Sequence, residues 1–249
     1  MHRPSRIAIA AGIAALCAAP ALASDREGLH WGYQGEAGPA HWGTLGDDFA
    51  TCGVGRRQSP VTLPADAPPT SLALGFAYAP TALNIVNNGH TVQVNHDAGS
   101  TLTVDGKPYT ILQFHFHTPS ENTVLGVAVA MEMHIVHAAD DGALAVVGVL
   151  FDIGEADNPF LATFWDGLPT AGVETRIDGV VNVADAFDPS DGITSFAGSL
   201  TTPPCSEGVT WLMVKQHETV SKVQLAEFVE LIGFNARPTQ PLNDRDFGM

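Results

Sequence analysis

Apolar and polar positions between residues 91 and 153 follow a period of two. Runs at 91–96, 101–104, 110–117, 126–137 and 143–153 are rich in Val, Ile, Leu and Thr, and Gly-containing turn signals at 97–99, 105–106 and 141–142 separate them. Such runs predict strands, and connections this short join antiparallel neighbours. Two segments carry helical signals instead. Asn158 followed by Pro159 predicts a helix start before 160–165, and Ser221 with Gln224 forms a capping box ahead of an apolar-periodic stretch that stops at Gly233. Pro/Gly-rich loops are expected at 60–70 and 166–172. Neither an internal repeat nor a dividing linker is present, so 249 residues predict one mainly β (α+β) domain with its own core.

The same alternation brings chemistry into view. In His115-Phe-His117 and Glu132-Met-His134, residues i and i+2 share a strand face, so three imidazoles and a carboxylate can converge. Three imidazoles with a fourth position open form the ligand set of a catalytic zinc, whereas structural zinc sites are usually closed by four protein ligands. Gln113 precedes the first pair on the same face, as Glu132 precedes His134. A metal-bound His needs an acceptor on its other ring N–H, and these two residues supply one each. His137, three residues beyond His134, falls on the opposite face and is not expected to be a ligand. A second metal reading starts from His115-x-His117-x3-Glu121, the first half of a cupin-type site in which Glu121 would be a ligand for dioxygen chemistry. That motif wants a Gly where this chain has Tyr109, and its later Pro-x-Gly-x2-His element is missing.

Charge and the N-terminus narrow the setting. The formal charge is −16, from 27 acidic against 11 basic residues, so nucleic acid and anionic membranes are poor partners. Residues 1–23 read as a secretory signal: Arg3 and Arg6, an apolar run from Ile7 to Cys17, then Ala21-Leu22-Ala23 as cleavage site. A lipoprotein reading through Cys17 is disfavoured by the large Leu16 before it. Export to the periplasm or medium leaves Cys52 and Cys205, which can pair in an oxidising compartment or remain two buried thiols. The mature domain, 24–249, is then expected to be soluble.

Taken in order, many pieces of the chain resemble the α-class carbonic anhydrases. They are His30-Trp31-Gly32-Tyr33, Arg57-Gln58-Ser59-Pro60, Asn87-Asn88-Gly89-His90, Gln113-Phe-His-Phe-His117, Ser120-Glu121, Glu132-Met-His-Ile-Val136, Ser199-Leu200-Thr201-Thr202-Pro203-Pro204 and Arg237-Pro238-x-Gln240-Pro241. The resemblance covers nearly all of the mature chain. It implies a large twisted, mostly antiparallel sheet with short peripheral helices, one Zn2+ per chain on His115, His117 and His134, and reversible hydration of CO2 to bicarbonate. Cys52 and Cys205 resemble the disulfide positions of the bacterial branch.

Carried over residue by residue, the resemblance also implies roles. Thr201 would accept a hydrogen bond from a zinc-bound hydroxide and donate its own proton to Glu121, and Thr202 would help to position bicarbonate. Val136, Val146, Leu200, Val209 and Trp211 would form the apolar wall for CO2. His90 would shuttle the proton, with Tyr33, Asn88 and Gln93 ordering the cavity water. Gln113, Glu132 and the backbone carbonyl of Asn235 would hold the zinc histidines, the last a role nearly blind to side-chain identity. Such a protein would work as a monomer or homodimer. Related non-catalytic modules lack a zinc histidine, whereas this chain keeps all three; ester hydrolysis is a conceivable side activity of the same hydroxide.

Overall fold

A computed structural model describes residues 30–249, so the segment read as a secretory signal lies outside the described residues. Thirteen strands form within them: β1 (Thr62–Leu63), β2 (Leu74–Ala77), β3 (Thr81–Asn87), β4 (Val92–Asn95), β5 (Thr101–Val104), β6 (Lys107–His117), β7 (Thr123–Val124), β8 (Met131–Ala138), β9 (Leu144–Gly154), β10 (Val173–Val181), β11 (Ile193–Ser199), β12 (Glu207–Val214) and β13 (Glu218–Ser221). Eleven of them build one sheet along the path β10-β3-β4-β6-β8-β9-β12-β11, with β5 and β13 pairing off β6 and β9, and β2 pairing β5. Most neighbours are antiparallel. β9 is the exception, pairing in parallel with both β12 and β13. Among the described residues no helix is long and apolar enough to cross a membrane.

The expected strand 126–137 is shorter than its composition suggests. Leu125 and Gly126 take φ of 53° and 80°, a tight turn in which Val124 bridges Val127, and regular pairing starts only at Met131. The helices are short: α1 (Trp42–Leu45), α2 (Thr51–Val54), α3 (Pro159–Ala162) and α4 (Lys222–Ile232). The Asn158 side chain accepts from the backbone N–H groups of Phe160 and Leu161, as its position before Pro159 predicts, but the α-helix ends at Ala162 and a separate 3-10 turn follows at Trp165–Gly167. The Ser221/Gln224 capping box forms in full, and Gly233, at φ 80°, ends α4.

Apolar side chains cover both sheet faces. On one, Phe114, Phe116, Met133, Ile135, Val147 and Val149 pack with Phe160 and Phe164 near α3 and Phe228 of α4. The other carries a smaller cluster that includes Val136, Val146, Phe196, Val209, Trp211 and Met213. One irregularity decides what each face holds. Tyr109 and Ile111 belong to the larger core, and uninterrupted alternation would send 113, 115 and 117 to the same side. The β6–β8 register instead shifts between Ile111 and Gln113, leaving Leu112 without a partner and half exposed. That bulge turns Phe114 and Phe116 into the core and the two histidines onto the opposite face.

Candidate metal centre

Past the bulge, register assembles the site in rows across the sheet. Gln93, His115, His134, Gly148 and Met213 stand opposite one another on five successive strands. The adjoining row runs Asn95, Gln113, Val136, Val146, Trp211 and Phe196. Polar residues therefore collect on the β4–β6 side and apolar ones on the β8–β12 side. Gly148, facing His134, leaves the room that Glu132 needs: a Cβ there would lie 3.2 Å from Glu132 Oε1 and 2.5 Å from Met213 Sδ.

Each ring is held from behind by an acceptor. His115 Nδ1 donates to Gln113 Oε1 (2.8 Å), His117 Nδ1 to the Asn235 backbone carbonyl (2.8 Å) and His134 Nε2 to Glu132 Oε1 (2.9 Å). These partners fix the tautomers and leave His115 Nε2, His117 Nε2 and His134 Nδ1 with free lone pairs. The ligand atoms of the three lie within 4.8 Å of one another. His117 Nε2 is buried with no hydrogen-bond partner, which a polar atom tolerates only if something else occupies that point. Burial pushes all three imidazoles below their ordinary pKa, and for His115 the neighbouring His117 and His134 add to it. Neutral imidazole is the form that binds metal, so the donor set fits zinc.

Behind the triad sits Glu121, a loop acid buried at 1% exposure. Its Oε1 accepts from the Arg237 backbone N–H (2.8 Å), and its Oε2 lies 3.6 Å from His117 Nε2 and 3.9 Å from His134 Nδ1. Burial drives its carboxyl well above the usual range, while the Arg237 N–H and the Thr201 side chain pull it back. Among the described residues the side chains that could together hold an ion are the three histidines, and Glu121 is not in that group. Glu132 accepts from the backbone N–H groups of Glu121 and Asn122 and from the Asn122 side chain, so both carboxylates share one loop.

His115 and His117 open into a cavity of about 130 Å³ whose walls include Tyr33, Asn88, His90, Gln93, Gln113 and Thr202. The His90 ring stacks on Trp31, with centroids 3.8 Å apart and planes 7° from parallel. Burial and the charge of Glu121 keep the Tyr33 phenol protonated. Asn88 has a second task that sequence does not announce: its Oδ1 accepts from the N–H groups of His90 and Thr91, forming the turn that presents His90. On the apolar side Val136, Val146, Val209 and Trp211 cluster together with Leu200 against them, and the Trp211 ring meets His134 edge-on at 4.8 Å.

Known proteins align with this geometry. Residues 37–247 match the model of the eukaryotic-type carbonic anhydrases. The chain belongs to the carbonic anhydrase family of the eukaryotic, or α, type. It is 44% identical over 224 residues to a carbonic anhydrase of Nostoc sp., spanning 87% of this chain and 84% of that protein. With a carbonic anhydrase of Pectobacterium carotovorum it shares 43% over 226 residues, 90% of this chain and 92% of the relative. In three dimensions it resembles the α-carbonic anhydrase of Thermovibrio ammonificans solved with the inhibitor sulfanilamide, at TM-score 0.84 and 40% identity, covering 88% of this chain and 99% of that one.

Cys52 and Cys205 are bonded, tying α2 to the loop after Thr201-Thr202 in this carbonic anhydrase. His137 lies on the far face, its Nε2 against the Tyr78 hydroxyl at 2.9 Å, as the odd spacing from His134 predicts. Two supports escaped the sequence reading. Arg237 is buried with its guanidinium on Gln58 Oε1 and the carbonyls of Ser59 and Cys52, and Asn122 holds Glu132. Neither has a local spacing signal; a buried Arg in a Pro-rich segment shows its partners only after folding.

Proposed function

We propose that this chain is a zinc enzyme, exported from the cytoplasm, that hydrates CO2 reversibly to bicarbonate and a proton. What carries the reading is the convergence of three neutral imidazole lone pairs, one of them buried and otherwise unpartnered, in front of Glu121. Zinc bound there would lower the pKa of a coordinated water towards neutrality and supply a nucleophile, an effect for which carbonic anhydrases are themselves the reference case. His115, His117 and His134 would hold the ion. Glu121, in its ionised form, would accept a hydrogen bond from the Thr201 hydroxyl, so that the Thr201 oxygen faces the substrate only as an acceptor. That selects a nucleophile carrying a proton and aims its lone pair at carbon.

Substrate is apolar and needs an apolar surface beside the metal. Val136, Val146, Leu200, Val209 and Trp211 offer one, while Thr202 on the opposite wall suits bicarbonate. His90 accepts the product proton through cavity water and passes it to buffer, because an imidazole titrates near neutrality. Tyr33, Asn88 and Gln93 line that water path. The Cys52–Cys205 bond supports an oxidising compartment, in keeping with residues 1–23 as a secretory signal.

Stopped-flow CO2 hydration with metal analysis of the mature protein tests the proposal. Activity should disappear with chelator and in His134→Ala. Glu121→Gln should lose activity while keeping about one zinc per chain, and loss of zinc instead would make Glu121 a ligand. A wild-type protein holding one zinc per chain yet failing to hydrate CO2 above background would overturn the enzyme reading.

A further inference from the structure

Asn235 lies just beyond α4 and is 1% exposed. Its backbone carbonyl holds His117 Nδ1, a task any residue could perform, but the side chain is engaged as heavily. Asn235 Oδ1 accepts from Thr118 N–H (2.8 Å), while the Asn235 N–H donates to the Thr118 carbonyl (3.0 Å). Both protons of the amide are used as well: Nδ2 donates to the carbonyl of Phe116 (2.9 Å) and to that of His90 (2.9 Å). An acceptor and two donors within one short planar group are needed to make this set. Asp lacks the donors, Gln adds a methylene that displaces them, and Ala or Ser cannot reach all three partners.

We infer that the Asn235 side chain is a positioning residue that clasps the His90 turn to the end of β6, setting the proton-accepting imidazole relative to the zinc histidines. The inference rests on His90 being the shuttle. Its physical basis is that His90 belongs to a turn between β3 and β4, and Asn235 ties the backbone at that residue to Phe116 and Thr118, which flank His117. Removing the clasp takes away the tether at His90 itself, leaving the turn held to the Phe116 backbone by the Thr91 hydroxyl and the three zinc ligands unchanged in kind. Proton transfer through water depends steeply on placement, and a shift near 1 Å can cost up to about 100-fold in rate.

The test compares zinc-loaded wild type, Asn235→Ala, Asn235→Ser and His90→Ala. In weak buffer, kcat of the Asn235 variants should fall about fivefold, kcat/KM should fall less, and added imidazole should restore kcat. Zinc release to excess chelator should also accelerate, because the segment whose carbonyl orients His117 keeps only the backbone one of its two hydrogen bonds to Thr118; this readout is independent of turnover. If kcat and kcat/KM fall together without imidazole rescue, or neither changes while His90→Ala is impaired, the clasp is refuted. If His90→Ala itself turns over normally in weak buffer, the shuttle reading fails instead. Asn235→Ser keeps the comparison available should Asn235→Ala fold poorly, and normal kcat with unchanged zinc release in a folded Ser variant would equally refute the clasp.

Discussion

Replacing Glu132 by Gln removes an oxygen acceptor at a place where only acceptors fit. Its Oε1 takes His134 Nε2 (2.9 Å) and Asn122 Nδ2 (2.7 Å), and its Oε2 takes the N–H groups of Glu121 (2.8 Å) and Asn122 (2.7 Å). All four partners are donors, and an amide offers one acceptor oxygen plus an NH2 that would oppose two of them. Asn122 cannot flip to compensate, because its Oδ1 already accepts from the Val61 N–H at 2.9 Å. At pH 8, above the value of about 7 to which burial raises the Glu132 carboxyl, the wild-type group is ionised. Two lost charge-assisted bonds, at about 1.5–3 kcal/mol each, give roughly 3–6 kcal/mol. The low end corresponds to a fall in Tm of roughly 6–12 °C in a domain of this size.

Zinc affinity should weaken by about 10- to 100-fold in the same variant, since the proton of His134 Nε2 faces an N–H and the ring loses its orientation. Competition with a chromophoric chelator at pH 8 measures it. Adding Asn122→Asp to Glu132→Gln separates the two effects. The new carboxylate keeps the acceptor for Val61 and offers another to the NH2 group introduced by Glu132→Gln, so Tm should recover in part. His134 still meets an N–H, so zinc affinity should not recover. Zinc affinity within about threefold of wild type in Glu132→Gln, or full recovery in the double variant, would refute this account of the carboxylate.

Other outcomes follow from the same geometry. Burial lowers the His137 pKa from 6.5 to about 4, so the unfolded chain takes up a proton first as pH falls; its contribution is complete above pH 6.5 and about 3 kcal/mol is lost by pH 4. Urea unfolding of wild type and His137→Gln at pH 7.5 and 4.5 should show the smaller acid loss in the variant, and equal losses would disprove the linkage. Val146→Phe, placed in the apolar row between Val136 and Trp211, should lower kcat/KM by roughly 10-fold or more with zinc content unchanged. Cys52→Ser with Cys205→Ser opens a link spanning 153 residues, worth about 5 kcal/mol in the chain-entropy model, and calorimetry should find Tm lowered by roughly 10–20 °C.

Legibility in the sequence followed the range of each interaction. Signals between close neighbours came through: the Asn158 cap, the Ser221/Gln224 box, and acceptors two residues before His115 and His134. Spacing raised Glu121 only as a cupin-type ligand, and it was the resemblance to the family that paired it with Thr201. Partners more than 100 positions away left no local signal, and of those at the site the resemblance supplied only the Asn235 carbonyl. Asn235 meets His117 across 118 residues and Arg237 meets Glu121 across 116, and local periodicity carries no record of such pairs. The Asn235 side chain, which looked replaceable, is therefore among the most constrained near the site.

By itself the sequence determined that His115 and His117 share a face, that Gln113 and Glu132 stand behind the histidines, and that His137 points away. Period-two geometry is local and needs no knowledge of the fold. Only the tertiary structure decided which face that is. Alternation running on from Tyr109 and Ile111 would have buried the histidines in the larger core, and the unpaired Leu112 turns them to the cavity instead. A bulge is set by pairing with the neighbouring strand, so it exists only once β6 and β8 meet. The rows that place Val136, Val146 and Trp211 beside the metal position likewise depend on register among β8, β9 and β12, settled by packing both faces of the sheet at once.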